Sequence, residues 1–233
     1  MSSETNFETY LLIDKKKFIL CVIHNISFET IYEDEMLLSD NSEFKFEMLN
    51  EFLEKNIFKI EKTLKNFVKD IDIILDNKEF FSVKMSIKKN NYGKYIDSKS
   101  LLSPLNDLKN SCQSNFNDKK IVHMLIENYL IDDKNYCTLP KDLKCNFFSL
   151  DVNFICISNN VVNDLELIFK KYHILVNQIL SASYVEKFIE EIDQNIFNCA
   201  SKIKSGLNEN EVSLVRKSFK NKGFFEKFFD FFN

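Results

Sequence analysis

The most constraining stretch of the chain is residues 121–184, IVHMLIENYLIDDKNYCTLPKDLKCNFFSLDVNFICISNNVVNDLELIFKKYHILVNQILSASY, because the period of its apolar residues changes partway along. Residues 121–131 form an apolar run with polar punctuation, closed by Asp132, Asp133, Lys134 and Asn135, whose side chains favour bends. After Pro140, Phe148, Leu150, Val152, Phe154 and Cys156 alternate with Ser149, Asp151, Asn153 and Ile155, the period of two of a half-buried strand. Asn159 or Asn160 can then cap a helix in which Val161, Val162, Leu165, Ile168, Phe169 and Tyr172 share one face at spacings of three and four. A short strand over residues 174–179 returns to Ser181, Ala182 and Ser183, small residues that allow close packing before a last helix.

The preceding residues supply more of the same mixture. Residues 10–14 and 18–23 are short apolar runs separated by Lys15, Lys16 and Lys17, which predicts a hairpin, with a third strand over 28–38. Over residues 46–68, Leu49, Phe52, Leu53, Ile57, Ile60, Leu64 and Phe67 make a helical stripe flanked by charges on a solvated face. Residues 71–75 and 80–87 read as strands, with a polar break at 88–91 and a turn at Gly93. Ser103 and Pro104 suit the cap and first position of a helix reaching about Ser114.

This order resembles that of the bacterial cell-division protein FtsA, an actin-like, membrane-bound family carrying an inserted SHS2-type subdomain. The resemblance lies in Lys120 to Asp133, Leu139-Pro140, Val152 to Ser158, Tyr172-His173-Ile174-Leu175-Val176 and Ser181-Ala182-Ser183. It implies an α+β chain: a partial actin-like (ribonuclease H-like) β/α body over 1–69 and 159–193, with an SHS2-like insertion over 70–158. A flexible linker over 194–222 and a C-terminal amphipathic helix over 223–233 would follow.

In the family the opening hairpin carries a phosphate loop of the form D-x-G-T/S, whose glycine lets backbone amides wrap a nucleotide. Asp14 matches the aspartate, but Lys15 to Lys17 replace the glycine and hydroxyl residues. The resemblance further implies a second half with glycine-rich nucleotide contacts, whereas this chain has three glycines, Gly93, Gly206 and Gly223, none in a D-x-G setting. Asp14 is therefore a degenerate match, and no cofactor, metal or catalytic residue is expected.

Composition narrows the partners. A formal charge of -4 argues against nucleic acid, which needs a concentrated basic face. Cys21, Cys112, Cys137, Cys145, Cys156 and Cys199 contain no C-x-x-C pair and read as buried free thiols in a reducing compartment. His24, His123 and His173 lie far apart and read as structural. Residues 1–10 are polar and acidic with no apolar leader, and no window reaches the length of a spanning helix, so a cytoplasmic protein is expected.

The last ten residues, FFEKFFDFFN, carry the other signal. At helical spacing, Phe224, Phe225, Phe228, Phe229, Phe231 and Phe232 fall within an arc of about 160°, with Glu226, Lys227, Asp230 and Asn233 on the remainder. Arg216, Lys217, Lys220 and Lys222 precede them, a pattern suited to an anionic membrane interface. The resembled family also ends in such a helix. The expectation is a non-enzymatic, FtsA-like scaffold on the inner face of the cell membrane, at the division site. Its partners would be anionic lipids, and itself or other division proteins through the inserted subdomain. An actin-like ATPase completed by another chain, and a pilus-assembly platform, remain open alternatives.

Overall fold

In the computed structural model the described residues are 6–38, 46–189 and 193–213. They form two compact units, one drawing on the span up to Lys78 and on Asn160–Ile203, the other on Glu79–Asn159 and the span from Lys204.

The first unit is built on a mixed sheet of order β3-β2-β1-β4-β9. Strands β1 (Phe7–Ile13), β2 (Lys17–His24) and β3 (Thr30–Leu37) are antiparallel neighbours. β4 (Asp70–Leu75) runs parallel to β1 and to the later strand β9 (Leu175–Ser181). The apolar runs of β1 and β2 are continuous because both faces are covered, and residues 9–13 and 18–23 are buried throughout. On one face Phe18 meets Phe52 of helix α1 (Phe46–Leu64), and on the other Tyr10 meets Phe197 of a later helix.

The second unit carries a four-stranded sheet of order β5-β8-β6-β7, formed by β5 (Phe81–Tyr95), β6 (Lys119–Ile131), β7 (Lys134–Tyr136) and β8 (Lys144–Ser158). Helix α2 (Ser98–Asn115) joins the first two strands. Its Leu101, Leu105, Leu108 and Cys112 bury with Met124, Ile126, Phe148, Leu150, Val152, Phe154 and Cys156 in one core. Back in the first unit, α3 (Asn159–Lys170) buries Val162, Leu165, Ile168 and Phe169. β9 then leads into the short helix α4 (Ala182–Val185), and α5 (Ile196–Lys204) follows.

Several expectations are corrected. The insertion was expected from Asp70, but β4 belongs to the first sheet, between β1 and β9, and the second unit starts at Glu79. α1 ends at Leu64, not at 68, because Lys65 takes a left-handed conformation at φ 50°, which leaves Phe67 73% exposed. α2 starts at Ser98, not at Ser103, because Asp97 accepts from the Ser100 amide at 2.9 Å while Ser100 Oγ accepts from the Asp97 amide at 3.2 Å, a reciprocal cap. Pro104 therefore lies inside the helix.

The break expected around residues 88–93 is a bulge within one long strand: register shifts between Asn90 and Lys94, with Tyr92 and Gly93 at φ 53° and 74°. The alternation expected of β8 holds only as far as Val152, beyond which Asn153 and Ile155 are buried too. Residues 194–213, expected to be linker, are folded. α5 buries Phe197, Cys199, Ala200, Ser201 and Ile203, and Val212 lies in the second unit's core. Cys137 is exposed, unlike the other five thiols.

Candidate partner-binding edges and a degenerate phosphate turn

The β1–β2 turn holds Asp14. The Asp14 amide donates to the Lys17 carbonyl at 3.0 Å, and its carboxylate accepts from the Lys16 amide at 2.8 Å. The aspartate is thus consumed in closing its own turn. Lys15 and Lys17 turn to Asp76 at 3.3 Å and Glu35 at 2.9 Å. A nucleotide cradle needs several amides converging on one point, and a tight lysine turn that bonds its own aspartate does not offer them. The residues of this turn do not fit a nucleotide's phosphates.

The second unit presents two outer strand edges. β5 is the outermost strand on its side, and its exposed positions alternate: Ser82, Lys84, Ser86, Lys88 and Asn90. Three of its lysines are engaged. Lys84 pairs with Glu127 at 2.8 Å, Lys89 with Asp107 at 2.8 Å, and Lys88 Nζ lies 3.9 Å from the centre of the Phe147 ring. Lysines along an edge strand discourage another strand from adding to it.

The other edge is built differently. Asp132 and Asp133, both at positive φ, make a two-residue hairpin loop, so β7 pairs with β6 only over Tyr129, Leu130 and Ile131. The Asp132 carboxylate also accepts from the Asn146 and Phe147 amides at 3.0 Å each, fixing the start of β8. Farther along β6 the partner is a different piece of chain, residues 210–212. The Ile126 amide donates to the Asn210 carbonyl and the Val212 amide to the Met124 carbonyl, both at 2.9 Å, with Leu125 facing Glu211 in antiparallel register.

The fourth column of the sheet is therefore spliced from two segments, both antiparallel to β6. Asn210 makes the splice: its Nδ2 donates to the Cys137 carbonyl at 2.8 Å and its Oδ1 accepts from the Tyr129 hydroxyl at 3.2 Å. Burial and the nearby Glu209 hold the Tyr129 hydroxyl well above the ordinary tyrosine value, so it stays a proton donor. Glu211 reaches His123 Nδ1 at 2.8 Å, with the His123 side chain fully buried. On the other face Val212, 1% exposed, joins the α2 core. Beside the splice lies a cleft of ≈ 680 Å³ lined by Tyr95, Ser98, Tyr129, Pro140, Glu209 and Ser213 among others.

This arrangement was all but hidden in the sequence. His123 read as an isolated structural histidine and 194–222 as a flexible linker. The only local hint is a single aliphatic residue, Val212, after four polar ones. The expected membrane-binding residues, Arg216, Lys217, Lys220, Lys222, Phe224, Phe225, Phe228, Phe229, Phe231 and Phe232, lie outside the described residues. Among the described residues no helix is long and apolar enough to cross a membrane, and no cluster of three or more potential metal ligands occurs.

No protein-family profile matches the chain, and no curated protein matches it. Among solved structures it is similar to a PilM-PilN type IV pilus biogenesis complex, with a TM-score of 0.48 and 7% identity over 80% of this chain and 50% of that one. It is also similar to a protein from Bacteroides thetaiotaomicron with an actin-like ATPase fold and unknown function, with a TM-score of 0.33 and 14% identity over 80% of this chain and 56% of that one. The chain spans about half the length of these two structures.

Proposed function

We propose that this chain is a non-enzymatic, FtsA-like scaffold, held at the inner face of the cell membrane by residues 223–233 and presenting its second unit to protein partners. The observation that carries the reading is the complete segregation of the six C-terminal phenylalanines from Glu226, Lys227, Asp230 and Asn233, behind a basic stretch. A β/α unit interrupted by a second sheet, as the resemblance implies, supports it. So does a β1–β2 turn that spends Asp14 on its own backbone.

Burying one phenylalanine fully is worth about 1.5–3 kcal/mol, but interfacial insertion is partial and the segment must order on binding. A single tail therefore binds reversibly, and several on one assembly bind firmly.

Flotation with anionic vesicles tests the anchor. The full chain is expected to rise with the vesicles, and a chain lacking residues 223–233 to remain below. Equal flotation of the two overturns the anchor. Calorimetry with ATP and magnesium is expected to give no heat of binding, and micromolar affinity would overturn the non-enzymatic reading.

A further inference from the structure

The spliced strand points to a binding site that the chain fills with itself. We propose that the outer edge of β6 is a strand-accepting site, that residues 208–213 are its resident occupant in cis, and that an extended peptide with the order Asn, acid, aliphatic displaces them. The inference rests on reading the protein as a scaffold and concerns where a partner docks, not how the membrane is reached.

The acceptor side is complete without its occupant. Met124, Ile126, His123, Tyr129 and Cys137 all belong to 79–159, and β6 is held from the other side by a ladder to β8 running from Lys119 to Ile131. Among the described residues the occupant meets β6 through the Leu125–Glu211 bridge and the backbone bonds Ile126 to Asn210 and Val212 to Met124. It is tethered behind α5 through Gly206, whose φ of 91° is a conformation that glycine adopts without strain. Joined to β6 by a single bridge, the segment is expected to open at lower free energy than the long β6–β8 ladder beneath it.

The contacts also define what the site reads. Strand addition supplies affinity through main-chain bonds and specificity through alternate side chains. Here the Asn210 amide bridges Cys137 and Tyr129, the Glu211 carboxylate meets buried His123, and Val212 fills an apolar position under α2. The cleft beside the splice, which Ser213 and Glu209 line, gives an incoming chain room to enter before the resident leaves. The β5 edge instead carries lysines paired with Glu127 and Asp107, which discourage strand addition.

The probe is a fluorescently labelled peptide of residues 207–213, LNENEVS, titrated into the full-length chain. The resident strap competes at the millimolar effective concentration typical of a short tether. Weak binding to the wild type is therefore expected, with at least tenfold tighter binding to a full-length Glu211→Ala/Val212→Ala chain whose own strap is weakened. Adding His123→Ala to that chain, or Val212→Pro to the peptide so that it lacks the donating amide, is expected to abolish the gain.

Equal affinity for wild type and double variant, or indifference to the proline, overturns the proposal. Should the double variant fail to fold, hydrogen exchange on the wild type decides. The Val212 amide is expected to exchange at least tenfold faster than the buried amides of β8, and exchange at the same rate as β8 overturns the proposal. Neither readout depends on vesicles, so failure of the membrane anchor and failure of this site are separately visible.

Discussion

Lys65 and His173 each occupy the left-handed position after a helix, where glycine is the usual residue, at φ 50° and 57°. After α1 the Asn66 amide donates to the Glu61 carbonyl at 3.3 Å, and after α3 the Ile174 amide donates to the Phe169 carbonyl at 3.1 Å. Both helices thus close with the six-to-one bond that accompanies a left-handed residue. With three glycines in the chain, such positions fall to side chains that resist them.

This is why the end of α1 was illegible. No glycine marked it, and Phe67 continued the apolar spacing past the true stop. Lys65→Gly and His173→Gly are each expected to stabilise the fold by about 1 kcal/mol, read as a higher urea midpoint at unchanged slope. A lower midpoint for either would show that its side chain makes contacts outweighing the backbone strain.

At the scale of elements, what the sequence displayed well were the strands and helices with one unbroken period. The hairpin of β1 and β2, the body of α1 and the apolar face of α3 all formed where the spacing placed them. What it hid were features set by partners distant in the chain. β4 looks the same whether it joins one sheet or the other, and only its parallel pairings with β1 and β9 assign it.

The start of α2 was hidden for a different reason, since Ser103-Pro104 offered an attractive local cap in competition with Asp97. The reciprocal bonds between Asp97 and Ser100 decide the matter. Asp97→Ala is expected to lower stability by about 1 kcal/mol in a denaturant titration, whereas Ser103→Ala, inside the helix, is expected to change it by less than about half that.

Across the whole molecule the distribution of thiols gives a direct check on the packing. Burial, with the Glu33 charge beside it, pushes the Cys21 thiol up to about 12, and burial, with Cys112 as neighbour, does the same for Cys156. Cys112, Cys145 and Cys199 are raised by burial as well. Only Cys137 is exposed, so native protein is expected to react with a thiol reagent at one site and denatured protein at all six. Rapid labelling of a second cysteine in the native state would show a core looser than described.

The limits of the two units were not legible in the sequence. Sequence patterns show where an element lies far more clearly than which neighbour it will pair with. Asp70 to Leu75 and residues 206–213 were misplaced for that one reason.

The parallel seam between β4 and β9 has a consequence for the newborn chain. About 100 residues separate Leu75 from Leu175, so at ribosomal speeds of about 5–20 residues per second the flank of β4 stays bare for several seconds. During that wait the second unit's β5 to β8 are translated in full, and the first unit stays an unfinished template for foreign strands. A message cut short before β9 would leave a sticky fragment rather than a smaller working protein, which makes the first unit the part that chaperones must guard.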